Sequence, residues 1–244
     1  MIKLGLLAAA GLVAFATAAS AADLKMPVKA PPPPPPFSWN GFYIGGEFGG
    51  AWANGTVTDS LFGLSASTSH DGWLAGGVVG YNYQTANSIV FGVEGDFDWT
   101  SISATGNGVL TPLGLLQASA KTDWVSSLAG RIGIAADRAL FYVKGGGAWV
   151  GNSASITNLT TGASVSASNT NSGWLLGAGL EYAFATSNWS AKFEFDYIGL
   201  RSWSWNSVLF PAETFTASRN ISEFKVGLNY RFGGYGPAAV ATRY

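Results

Sequence analysis

Residues 89–99, IVFGVEGDFDW, alternate two kinds of side chain with a period of two. Ile89, Phe91, Val93, Phe97 and Trp99 fall on the odd positions, and Glu94, Asp96 and Asp98 on the even ones. Successive side chains of a β-strand point to opposite faces, so this stretch reads as a strand with one oily and one acidic face. A soluble core rejects a row of carboxylates, and a solvated loop has no use for the large apolar groups opposite them.

Seven further stretches fit the same template: 42–52, 73–83, 124–134, 141–149, 174–184, 189–199 and 222–232. The expected strands are close to eleven residues long, the length of a tilted strand crossing a bilayer. Their apolar faces carry, for example, Phe48, Tyr81, Leu128, Val143, Leu176, Phe193 and Leu228. The opposite faces collect Glu47, Glu94, Asp96, Asp98, Asp123, Glu181, Glu194, Asp196 and Glu223, with Arg131, Lys144, Lys192, Lys225 and Arg231. Connections at about 84–88, 135–140 and 185–188 are short. Those at about 53–72, 100–123, 150–173 and 200–221 are long, rich in Ser, Thr, Asn and Gly, and expected to be loops.

Composition removes the soluble alternatives. Charged residues are 11% of the chain, against about 25% in a typical soluble protein. Aromatic residues are 14%, with ten Trp, and there are 33 Gly. After the first segment no apolar run is long enough for a transmembrane helix. A chain that meets lipid must satisfy its backbone internally, which leaves a closed barrel. The fold expected is all-β, an eight-stranded antiparallel up-and-down transmembrane barrel over residues 41–232.

The N-terminus is laid out as a secretory signal peptide. It has Lys3, an apolar run from Leu4, then Ala19-Ser20-Ala21, with cleavage expected between Ala21 and Ala22. Residues 22–40 form a leader with six consecutive prolines, Pro31–Pro36, and residues 233–244 form a C-terminal tail. Loss of Lys3 turns 13 basic residues into 12, against 14 acidic ones, a net charge of −2. That balance excludes a nucleic-acid partner, and the absence of cysteine excludes a disulfide framework.

Tryptophan punctuates the pattern. Trp52, Trp73, Trp99, Trp124, Trp149 and Trp174 fall where strands meet long connections, as an aromatic girdle at a membrane interface requires. Trp189 joins Phe42, Tyr83, Phe141, Phe184 and Phe232 in the girdle at the other end. The inward charges are expected to form an ion network that fills an eight-stranded interior. Alternate-residue carboxylates can also bind Ca²⁺, but no metal, cofactor or catalytic site is expected. His70 beside Asp71 is a neighbour pair and not a triad geometry. KGGGAW (144–149) and GGVVG (76–80) lie inside strands, so neither is a phosphate loop.

Four segments resemble the outer-membrane immunogenic β-barrel proteins of alphaproteobacteria, the "porin family" of small opacity-like barrels: WNGFYIGGEFGGAW (39–52), GVVGYNYQ (77–84), FGVEGDF (91–97) and KVGLNYRF (225–232). The resemblance implies an eight-stranded barrel with a structural role in the envelope and exposed, immunogenic loops. The alternatives are a narrow channel for ions or small solutes and an adhesin acting through its loops. Both termini are expected in the periplasm and the long loops outside the cell. The implied partners are outer-membrane lipid, lipopolysaccharide and the barrel-assembly machinery, while the stiff proline run and the charges of Lys25 and Lys29 in the leader point to peptidoglycan as a further one. The chain departs from the family in its tail, since such barrels usually end on the Phe of the last strand.

Overall fold

The computed structural model describes residues 37–60, 65–106, 109–111, 114–185, 187–206 and 214–232. The expected signal peptide with its Ala21/Ala22 cleavage point, residues 22–36 of the expected leader and the 233–244 tail lie outside the described residues. Eight long strands are β1 (Gly41–Asp59), β2 (Ser65–Gln84), β3 (Ile89–Thr100), β6 (Gly114–Ala136), β7 (Ala139–Asn158), β8 (Ser164–Ala183), β9 (Trp189–Leu200) and β11 (Thr214–Phe232). Each pairs antiparallel with the next, and β1 pairs with β11 from Phe42↔Phe232 to Asp59↔Phe215. The sheet closes into a ring of eight strands, with no long edge left unpaired. Short strands β4 (Ser103–Thr105) and β5 (Val109–Thr111) lie against β6, and β10 (Trp203–Asn206) lies against β11.

Strand parity follows the alternation in the sequence. Phe42, Phe48, Trp99, Leu128, Phe141, Trp174, Phe193 and Phe232 all face outward and are exposed. At the short-turn end, Ser88 and Asp137 take positive φ, 62° and 52°, as tight reversals between strands require.

The strands are longer than the sequence pattern suggests. The hairpin of β1 and β2 stays in register to Thr58↔Ser65, and that of β7 and β8 to Thr157↔Ser164. Most of the expected loops 53–72 and 150–173 is therefore strand, and β6 takes in much of 100–123. The extensions are held by backbone ladders and by cross-strand polar pairs, such as Thr56 Oγ1 with Ser67 Oγ at 3.1 Å and Ser204 Oγ with Thr216 Oγ1 at 3.0 Å. Away from lipid neither face must be apolar, so pairing persists where the hydrophobic period stops.

One strand serves as a ruler for the interior. Along β7 the inward side chains run Leu140, Tyr142, Lys144, Ala148, Val150 and Asn152. They mark four layers: an apolar plug at the short-turn end, an ionic layer, an aliphatic layer, and a polar cup at the hairpin end. The plug joins Leu140 with Trp39, Val90, Ala135, Tyr142 and Ala183, and the aliphatic layer includes Leu74, Ile102, Val125, Val150, Ile198 and Ile221.

Candidate functional site

The ionic layer is built by parity on seven strands. Eight carboxylates (Glu47, Glu94, Asp96, Asp98, Glu181, Glu194, Asp196 and Glu223) face four cations (Arg131, Lys144, Lys192 and Lys225), and all are buried. Lys144 Nζ lies 3.2 Å from Glu94 Oε1, 2.8 Å from Glu194 Oε1 and 3.0 Å from Asp196 Oδ2, so it ties the acidic comb of β3 to that of β9. Lys192 Nζ lies 2.6 Å from Glu47 Oε2 and 3.5 Å from Glu194 Oε1.

Arg131 is held between two tyrosines, its guanidinium carbon 4.6 Å from the Tyr43 ring centre and 4.9 Å from that of Tyr142. It donates to Glu94 Oε2 at 3.1 Å and through Nε to Asn82 Oδ1 at 2.9 Å. Tyr43 and Tyr142 donate to Glu94 and Glu194 at 2.7 and 2.6 Å. These rings fit because they lie over Gly80 and Gly179, where a Cβ would collide with the tyrosine hydroxyls. Charges removed from water need this density of partners, since an unpaired buried ion is very costly.

The geometry disfavours a metal. One oxygen each from Glu47, Asp96 and Asp98 falls within 4.8 Å of the others. Lys225 Nζ already sits among them, 3.3 Å from Glu47 Oε1, 3.8 Å from Asp96 Oδ1 and 3.6 Å from Asp98 Oδ2. The trio has an ammonium where a cation would go.

Two residues expected in this network lie elsewhere. Asp123 is the extra residue of a β-bulge: the register with β7 shifts between Thr122 and Trp124. Thr122 takes the inward position, and Asp123 accepts from Ser153 Oγ at 2.5 Å. Arg231 faces inward but stands in the plug, its guanidinium carbon 4.5 Å from the Phe37 ring centre and 5.0 Å from that of Trp39. It donates to the Ser38 carbonyl at 3.2 Å.

The plug has no signal in the strand alternation, because Trp39 precedes β1. Its backbone N–H donates to Gln84 Oε1 at 2.7 Å and its indole N–H to the Asp137 carbonyl at 3.3 Å. With 1% of its surface exposed, Trp39 stoppers the short-turn mouth. Among the girdle residues, Trp52, Trp73, Trp99, Trp149, Trp174 and Trp189 stand exposed on the outer wall, whereas Trp124 is half-buried and stacks on Phe97 with ring centres 5.7 Å apart.

Above the aliphatic layer the barrel opens into a cup of about 360 Å³. Arg219 crosses it from β11 to the opposite wall, where Nη1 donates to Asn152 Oδ1 at 2.6 Å and Nη2 to Thr122 Oγ1 at 2.6 Å. Thr122 Oγ1 in turn donates to Asn152 Oδ1 at 3.2 Å. Burial alone, with no carboxylate opposing it, holds this guanidinium below its ordinary range. His70, read from sequence as a loop residue, lies on β2 and lines the cup.

The model of the outer membrane protein β-barrel domain family matches residues 7–232. The chain belongs to that family. It is 35% identical over 236 residues to the 31 kDa outer-membrane immunogenic protein of Brucella melitensis biotype 1, covering 89% of this chain and 95% of the relative. The same protein of Brucella suis biovar 1 gives the same figures. The crystal structure of Ail, the attachment invasion locus protein of Yersinia pestis, aligns with a TM-score of 0.40 and 15% identity over 79% of this chain and 99% of that one. This barrel is a protein of the cell outer membrane.

Proposed function

We propose that this outer-membrane barrel is a closed structural element of the envelope that anchors and displays its hairpins, and that it carries neither solute flux nor chemistry. The observation that supports this is the stacking of the interior. Trp39 stoppers one mouth, and Leu74, Val150, Ile198 and Ile221, each 0% exposed, fill the cross-section below the other. Between them Lys192 and Lys225 are also 0% exposed, so water has no continuous path along the axis. The channel alternative lacks a lumen, and the stacked interior does not bear on the adhesin alternative.

In this reading the short-turn end, where the described chain begins at Phe37 and ends at Phe232, faces the periplasm and the hairpins face the outside, so both termini are proposed to be periplasmic. The partners are lipid, lipopolysaccharide and the assembly machinery, while the leader's contact with peptidoglycan would involve residues outside those described. The natural chain has no cysteine, so single substitutions report orientation cleanly. Thr161→Cys should react with a membrane-impermeant maleimide in intact cells, and Asp137→Cys only after the outer membrane is opened. Vesicles carrying the barrel should swell in small sugars no faster than empty ones. Reversed labelling or rapid swelling would overturn the reading.

A further inference from the structure

The cup at the hairpin end has the chemistry of a binding site. Its volume of about 360 Å³ suits a monosaccharide-sized ligand, and its floor is sealed by Ile102 and the aliphatic layer. Neutral hydrogen-bonding groups, including Thr68, Thr122, Asn152, Ser168 and Asn169, are set in the wall among small apolar residues such as Ala53, Ala120, Ala154 and Ala167. Its charged lining is Lys121 and Arg219, and no Asp or Glu lines it among the described residues.

Arg219 is the unusual member. Two of its N–H groups are fixed by Asn152 and Thr122, both neutral acceptors. A guanidinium has five N–H donors, so these bonds leave most of its donor capacity and all of its charge unmatched. In the ionic layer below, every cation has carboxylates within 4 Å, as Arg131 has Glu94 at 3.1 Å. A pinned fork of donors matches a planar or tetrahedral oxyanion, and an anchored arginine surrenders little entropy when it binds one.

We propose that the cup binds the phosphate or sulfate ester of a small sugar, with Arg219 taking the oxyanion and the hydroxyl and amide groups of the wall taking the sugar hydroxyls. This inference goes beyond the closed-barrel reading, and its outcome is independent of conductance. The source is either a free solute or the end of a glycan chain entering the mouth.

The test is titration calorimetry on the mature chain in detergent, folded as judged by its heat-dependent shift in electrophoretic mobility. Glucose 6-phosphate and glucose 6-sulfate should bind, more weakly as salt rises, and glucose should not. Inorganic phosphate should bind less tightly than the sugar ester. Arg219→Gln should weaken the ester about tenfold or more, the scale of a lost charged hydrogen bond. Arg219→Lys, which keeps charge but not the fork, should lose less. If Arg219→Gln fails to fold, Asn152→Asp serves instead: it is nearly isosteric and sets a carboxylate against Arg219, so binding should fall as much. Displacement of the ester by dextran sulfate assigns the site to glycan ends, and failure to displace assigns it to free solutes. The site assignment is overturned if neither ester binds at millimolar concentration, or if both variants bind as the parent does. It is likewise overturned if glucose or inorganic phosphate binds as well as the esters.

Discussion

The ionic layer and the cup lie a few residues apart on the same strands, and they treat charge in opposite ways. On β11, Lys225 is surrounded by Glu47, Asp96, Asp98, Glu194, Asp196 and Glu223, all within 3.8 Å. Six residues earlier on the same face, Arg219 meets two neutral side chains. Between them stands Ile221, 0% exposed, in the aliphatic layer. Below that layer water is shut out and a lone charge would be prohibitive, so cations and carboxylates come in clusters. Above it water reaches the cup, so a guanidinium held by neutral partners and no carboxylate is tolerated.

Breaking the clustered side should have the largest effect. Lys225→Met removes the ammonium shared by six carboxylates and should cost about 5 kcal/mol, the upper end for an uncompensated buried charge. Urea unfolding in lipid vesicles measures it, and a small cost would mean that the ionic layer is wet. Trp39→Ala empties the stopper and should cost about 3 kcal/mol by loss of a large buried side chain. The same assay would show little change if Phe37–Asn40 were only a tether. Arg219→Gln should change stability by less than about 1 kcal/mol, because two neutral hydrogen bonds are exchanged for relief of burial of a charge. A loss as large as that of Lys225→Met would erase the distinction between the two regions. Asp123→Asn, on the bulge, should be the mildest, within about 0.5 kcal/mol, typical of a surface change.

The sequence carried the barrel because lipid on one side and a filled interior on the other impose a strict period of two. Where lipid ends, that signal ends, and the Ser- and Thr-rich hairpins looked like loops although their backbones pair in full register. Arg219 could have been found by continuing the inward series Arg231, Asn229, Lys225, Glu223, Ile221 two residues further. Asp123 could not, since nothing around Thr122–Trp124 announces a bulge. Arg231 was placed on the correct face, but its aromatic partners come from the segment before β1, which alternation within strands does not reach. Trp39 was hidden for the same reason: it packs through the barrel mouth, outside any strand. The ring closes at Phe232, where β11 pairs with Phe42 of β1.

If the interior is sealed between Trp39 and the aliphatic layer, electrical recording shows it most directly. The mature barrel, incorporated into planar bilayers at high salt, should give a flat current baseline under applied voltage. Long-lived conductance steps of uniform size from the barrel with Trp39 in place, persisting when the hairpins are shortened, would contradict a sealed core and make the protein a channel.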